Sequence, residues 1–306
     1  MTVLLYTHAA CLAHNPGPGH PESPSRLRAV LEALDADRFA TLDRIEAPRA
    51  TRQQLERVHH VTLVEEVFAS APSEGFARLD PDTAMSPDSL EAALRAAGAV
   101  CAGVDALLDG VSTRAFCAVR PPGHHATPDT AMGFCLFNNV AIGAAHALAR
   151  GLERVAIVDF DVHHGNGTQD IFWHDARVLY ASTHQWPLYP GTGARTEKGA
   201  GNIVNAPLAP RSGSAEFRAA MDETVLPALH AFRPQLVMIS AGFDAHRLDP
   251  LADLALEAAD YAWVTGELVE IAQKYAAGRV LSSLEGGYSL SALRDSSAAH
   301  VAALMA

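Results

Sequence analysis

The 306-residue chain is 49% hydrophobic and 19% charged, with 22 Gly and 18 Pro, a balance that excludes disordered, collagenous and coiled-coil proteins. Its formal net charge of −12 excludes a fold-wide basic surface for nucleic acid or for an anionic membrane. The four cysteines form no C-x-x-C pair, and neither a signal peptide nor an apolar run of about 18 residues is visible, so a cytoplasmic protein is expected.

Residues 11–24, CLAHNPGPGHPESP, are too rich in Pro and Gly for a helix or a central strand and predict a long ordered loop or surface flap. Beyond them, short apolar runs alternate with amphipathic stretches. In chain order the pattern predicts a helix over 89–108, a strand over 115–119, a helix over 138–149 and strands over 155–158 and 178–182. A helix over 214–232, a strand over 236–240, a helix over 256–276 and a strand over 280–284 follow. The strands are continuously apolar, so both of their faces are expected to be covered. This alternation predicts the α/β class: an open parallel sheet with right-handed crossovers and helices on both faces. No repeat or linker divides the chain, which predicts a single domain over residues 1–306.

Each predicted strand ends in an unusual corner: PPGHHA, DFDVHHGNG, THQWPLYPGTG, AGFDAH and EGGY. In a parallel sheet these corners share one edge, where ligands bind. In DFDVHH the alternation of Asp159, Asp161 and His163 points all three to one side of an extended backbone. Buried carboxylates side by side need a cation, and Asp with imidazole is a ligand set for Zn²⁺ or Fe²⁺. Asp244, at an equivalent strand end, supplies a third carboxylate. Two Asp and one His leave a coordination position open, as catalytic sites do. In the Pro121-Pro122-Gly123 turn, His124 and His125 can reach one cavity and divide acid and base roles. The glycines before Tyr288 allow close backbone approach, and its phenol can donate to a developing oxyanion. His8, His14, His59, His60, His146, His174, His230 and His300 read as surface or packing residues, with His20 a possible exception. Phe76, Trp173 and Trp263 read as core.

The motifs RPPGHHA, GFCLFNN, VDFDVHHGNGTQDIF, YPGTG, SAGFDAHRLDP and EGGYS, in this order, resemble the zinc-dependent histone deacetylase superfamily, from about His14 to Tyr288. That superfamily includes acetylpolyamine amidohydrolases and acetoin-utilisation proteins. GHPESPSRL and Asn166 are similar to its class II branch. The resemblance implies an arginase–deacetylase type of sheet. It implies Asp161, His163 and Asp244 as zinc ligands, His124 paired with Asp159, and His125 oriented by Asn166 as general base and acid. It implies Tyr288 as the group polarising the acetyl carbonyl, and Gly133, Phe134, Leu188 and Tyr189 as tunnel walls. A structural K⁺ at Asp159, Asp161, His163, Ser182 and Thr183 is implied as well. The substrate implied is acetyl-lysine in a protein or peptide, or an acetylated small amine, with no nucleic-acid or membrane partner; an oligomer is compatible with the sequence. Leu251, where polyamine-selective relatives can carry Glu, favours lysine. A non-catalytic acetyl-lysine reader and an arginase-like two-metal enzyme are the readings from other classes.

Overall fold

The computed structural model describes residues 2–306. Its strands, in chain order, are β1 Leu4–Thr7, β2 Asp43–Glu46, β3 Ala77–Asp80, β4 Thr83–Met85 and β5 Arg114–Cys117. They continue with β6 Val155–Asp159, β7 Val178–Gln185, β8 Ile203–Leu208, β9 Leu236–Ala241 and β10 Val280–Leu284. Eight of them form one sheet in the order β2-β1-β5-β10-β9-β6-β7-β8, with every neighbouring pair parallel. β3 and β4 make a separate antiparallel hairpin.

Side-chain alternation shows that helices cover both faces. On β10 and β5, Leu281 and Ala115 face the helix Ser89–Leu108, where a Cβ on Gly103 would sit 2.6 Å from Leu281. The next residues along each strand, Ser282 and Phe116, face the opposite way, toward His300 of the helix Leu290–Met305. Successive strand residues point to opposite faces, so the two helices lie on opposite sides of the sheet. His300 is a satisfied core histidine: Nδ1 meets Thr265 Oγ1 at 2.6 Å and Nε2 meets Ser282 Oγ at 2.8 Å. Burial drives its imidazole down to about 3, so it is neutral.

The five strands predicted from apolar runs are β5, β6, β7, β9 and β10, and they are contiguous in the sheet. The unpredicted strands β1, β2 and β8 flank them. β2, with sequence Asp43-Arg44-Ile45-Glu46, is an edge strand whose charges protect an open edge. Several expectations need correction. The helix over 214–232 is α-helical at Ser214–Ala220 and Leu226–Phe232, with a π turn at Met221–Val225 between them. A short helix, Ala9–Ala13, runs into the N-terminal segment, and that segment is not a surface flap, because His14 and Glu22 are buried. Phe76 is 53% exposed and is not core. Among the described residues no helix is long and apolar enough to cross a membrane.

Candidate active site

The corners after β5, β10, β9, β6 and β7 meet at one edge of the sheet, and the electrostatics of the site follow from how they are packed. β6 ends on Asp159, and the chain bends so that Asp161 N donates to Asp159 Oδ1 at 3.1 Å and His163 N donates to Asp161 Oδ1 at 2.9 Å. Asp244 arrives from the β9 corner and accepts Val162 N through Oδ1 at 2.9 Å. Asp161, His163 and Asp244 each offer one ligand atom, and these atoms lie within 4.8 Å of one another.

Two observations fit this trio to a divalent cation. Asp244 Oδ2 is buried without a hydrogen bond, although His163 Nδ1 stands 3.2 Å away. Gly286 leaves room for the carboxylates: a Cβ there would lie 2.1 Å from Asp244 Oδ2 and 2.5 Å from Asp161 Oδ2. Its N–H instead donates to Asp161 Oδ2 at 2.8 Å. Burial, then the neighbouring Asp161 carboxylate, push Asp244 up to about 7. A carboxylate so raised gains by meeting a cation.

The tandem histidines sit in contrasting surroundings. His124 Nδ1 lies 2.9 Å from Asp159 Oδ2, which also accepts the Tyr180 hydroxyl at 3.1 Å. Burial opposes a charge on His124, but Asp159 and Asp161 outweigh it and push the imidazole up to about 10. His125 Nδ1 meets Asn166 Oδ1 at 2.8 Å. Asn166 spends Nδ2 on the His125 carbonyl and the Met132 sulfur, so its oxygen faces the ring and His125 carries its proton on Nδ1. Burial, then His124 and His163, hold His125 well below the usual imidazole range. A neutral ring with a free Nε2 results.

A cavity of about 200 Å³ opens onto these groups, lined by Asp82, His125, Gly133, Phe134, His163, Leu188, Tyr189, Leu251 and Tyr288. Gly133 has φ 58° and passes so close to His125 that a Cβ would sit 2.5 Å from the ring. Tyr189 stands edge-on to His125, with ring centroids 5.1 Å apart. Tyr288 is fixed through its backbone, since Asp249 Oδ2 accepts its N–H at 2.7 Å. Burial pushes its phenol well above the usual value, so it remains a donor. Ser182 and Thr183 are buried on β7, Ser182 directly beside Asp159 in register, with its hydroxyl 2.9 Å from His184 Nδ1.

Four residues at the site were not singled out from sequence. Asp82, in the β3–β4 turn, accepts Gly133 N–H at 3.2 Å and so holds one cavity wall. Asp249 holds Tyr288, as above. Glu285 is buried at the end of β10; Oε2 accepts Gly123 N–H at 2.6 Å and His124 N–H at 3.2 Å, and Oε1 accepts Ser240 Oγ at 3.1 Å. A charged residue closing an apolar strand was signal enough for Asp159, and Glu285 carries the same signal. Arg26 lies 4.9 Å from the Tyr288 ring centroid and donates from Nε to the Gly287 carbonyl at 2.6 Å. Nothing local in the sequence announces that contact.

A family model described as the histone deacetylase domain matches residues 20–304. A probable deacetylase of Archaeoglobus fulgidus is 41% identical over 288 residues, covering 92% of this chain and 80% of its own. A histone deacetylase-like amidohydrolase of Pseudomonas aeruginosa is 41% identical over 278 residues, covering 89% of this chain and 73% of its own. The crystal structure of the HDA15 HD domain superposes with a TM-score of 0.93 at 37% identity, covering 98% of this chain and 88% of that one.

Proposed function

The chain belongs to the histone deacetylase family, and we propose that its cavity hydrolyses the amide of an acetylated primary amine, acetyl-lysine of a protein or peptide foremost. The observation that carries this reading is the Asn166-held His125 lining a narrow cavity together with His163 of the Asp161–His163–Asp244 trio, their ring centroids 6.0 Å apart. That trio would hold Zn²⁺, and the same donor set accepts Fe²⁺. Bound there, the metal supplies Lewis-acid polarisation of the acyl carbonyl and of the attacking water.

His125 acts at Nε2, first as the proton acceptor and then as the donor to the departing amine. Burial, and then the charge that His124 holds against Asp159, keep His125 unprotonated between turnovers. Tyr288 donates its phenolic proton in a hydrogen bond to the oxyanion as the carbonyl carbon becomes tetrahedral. Gly133, Phe134, Leu188 and Tyr189 enclose the methylene stem of lysine and exclude water from it. We assign a structural K⁺ to Asp159, Asp161, His163, Ser182 and Thr183, all buried where the end of β6 meets the middle of β7, where a monovalent charge offsets crowded carboxylates.

Leu251 gives the cavity mouth an apolar side, which favours a peptide over a cationic amine. One observation favours the second reading, an acetylpolyamine substrate: Asp82 brings a carboxylate to the same cavity. We read residues 1–306 as one domain, because β9 and β10 sit at the centre of a sheet that begins with β1. The four cysteines are buried and unpaired, which supports a reducing cytoplasmic setting.

The deciding experiment is a kcat/KM panel of acetyl-lysine peptides, acetylputrescine and acetylspermidine, with metal content measured on the same sample. Highest kcat/KM on the peptides supports the leading reading. A preference for acetylspermidine would replace it with the second, and no turnover on any substrate by metal-loaded protein would remove both.

A further inference from the structure

The loop after β7 supplies two cavity walls, Leu188 and Tyr189, yet residues 186–200 contain neither helix nor strand. Gly191 and Gly193 have positive φ, so the backbone there is free to take many shapes and something else must select one. A polar chain does so. Glu197 accepts Gly193 N–H through Oε2 at 3.1 Å and Ala194 N–H through Oε1 at 3.0 Å. Oε2 also accepts Gln169 Nε2 at 2.6 Å. An ionised carboxylate only accepts, so Gln169 must turn its nitrogen to Glu197 and its oxygen inward. That oxygen receives Asn205 Nδ2 at 2.8 Å and His164 Nε2 at 3.1 Å. His164 therefore carries its proton on Nε2, and its bare Nδ1 accepts the Thr192 hydroxyl at 2.8 Å. His184 completes the clamp by donating from Nε2 to the Gly193 carbonyl at 3.0 Å. A Cβ on Gly193 would lie 2.4 Å from His184 and 2.7 Å from His164, so the loop is seated directly on the two rings.

We propose that the Glu197–Gln169–His164–Thr192 chain is a positioning device that fastens the substrate-wall loop to the turn bearing His163. His163 and His164 are neighbours: the first faces Asp161 and Asp244, the second faces Thr192. Thr192 and Glu197 thereby govern how well Tyr189 and Leu188 enclose the substrate while touching none of it. This rests on the acetyl-amide reading of the cavity.

Thr192→Val keeps the side-chain shape and deletes the donor, whereas Thr192→Ser keeps the hydroxyl. On metal-loaded protein with an acetyl-lysine peptide, Thr192→Val is expected to raise KM roughly tenfold, with kcat and bound metal within about twofold of wild type. Thr192→Ser should restore KM, and Glu197→Gln should shift KM in the same direction as Thr192→Val. Trypsin cleavage of the native protein after the exposed Arg195 reads the loop without activity, and it should quicken in Thr192→Val and not in Thr192→Ser. Unchanged KM with unchanged cleavage overturns the proposal. So does loss of metal at constant KM, which would tie Thr192 to the metal turn alone. If wild-type protein cleaves no acetylated amine, the functional reading fails, and the cleavage rates still decide whether the clamp exists.

Discussion

Two buried polar clusters lie on either side of Tyr288, and they are built on opposite principles. In the first, Glu22 is fully buried between Arg26, at 2.9 Å, and Arg120, which is held through both Nε and Nη2. The guanidiniums also donate to the carbonyls of Gly287, Glu285, Cys11 and His14. Burial opposes the ionised form of Glu22, but Arg120 and His14 outweigh it and hold the carboxyl well below its ordinary range. In the second, Asp161 and Asp244 share one imidazole, Asp244 Oδ2 has no hydrogen bond, and its carboxyl is pushed up to about 7. The first cluster sets two guanidiniums against one carboxylate, although His14 Nε2, 3.2 Å from Glu22 Oε2, lacks a hydrogen bond. The second sets two carboxylates against one imidazole, a group that could hold a metal ion. Burial alone therefore does not separate the two clusters; the balance of cationic against anionic groups does.

Breaking the second cluster should cost the most activity. Asp161→Ala is expected to lose metal and to lower kcat/KM by about 10³-fold or more, measured by metal analysis and turnover on one preparation. Full metal occupancy with normal turnover would falsify the ligand assignment. Tyr288 stands where the clusters meet, with its ring 4.9 Å from Arg26 and its residue lining the cavity. Tyr288→Phe should keep the metal and lower kcat by roughly 10²–10³, the usual loss for one oxyanion donor. A rate within about threefold of wild type would remove that role.

Breaking the first cluster should act on stability instead. Glu22→Gln leaves two buried guanidiniums without their carboxylate and should destabilise by about 3–5 kcal/mol in urea unfolding. Because the folded Glu22 is depressed, its contribution is fully present above the ordinary value of 4.5 and fades as pH falls toward the folded value. The stability gap between wild type and variant should therefore be flat above that pH and narrow below it. A gap that widened in acid would contradict the pairing. Asp244→Asn sharpens the contrast: in metal-stripped protein it relieves repulsion and should raise stability by about 1 kcal/mol. A lowered melting temperature in chelator would show that the second cluster is already balanced. The smallest effect is expected at the mouth. Leu251→Glu should shift the kcat/KM ratio of acetylspermidine to acetyl-lysine peptide upward by about fivefold, the worth of one partly exposed ion pair. An equal shift for a neutral acetylated amine of similar length would rule out a charge effect.

The central strands were legible because β5, β6, β7, β9 and β10 are wholly buried, and burial on both faces leaves mainly apolar runs, such as residues 155–158 and 236–239. The outer strands were not. β2 is polar because it is an edge, and β8 carries Asn205 and Pro207 within the strand. The π turn inside 214–232 leaves no mark on an amphipathic pattern. At the site, the corner motifs displayed Asp161, His163 and Asp244 because strand ends concentrate chemistry in short stretches. Glu22 and Arg120 are 98 residues apart, and Asp82 meets Gly133 across 51. Such pairings come from topology, and no window along the chain contains both partners.

The sheet order carries a consequence for synthesis. β5 and β6 are not neighbours; β10 and β9 fill the place between them and are made after the other strands of this sheet. Until residues 236–284 emerge, the nascent chain can assemble β2-β1-β5 and β6-β7-β8 only as two half-sheets, each with a fresh unpaired edge. Those edges belong to β5 and β6; Asp159 closes β6, and the corners beyond the two strands bear His124, His125 and Asp161. The half-made enzyme thus displays its sticky edges and its acidic corner together, and two late strands conceal both.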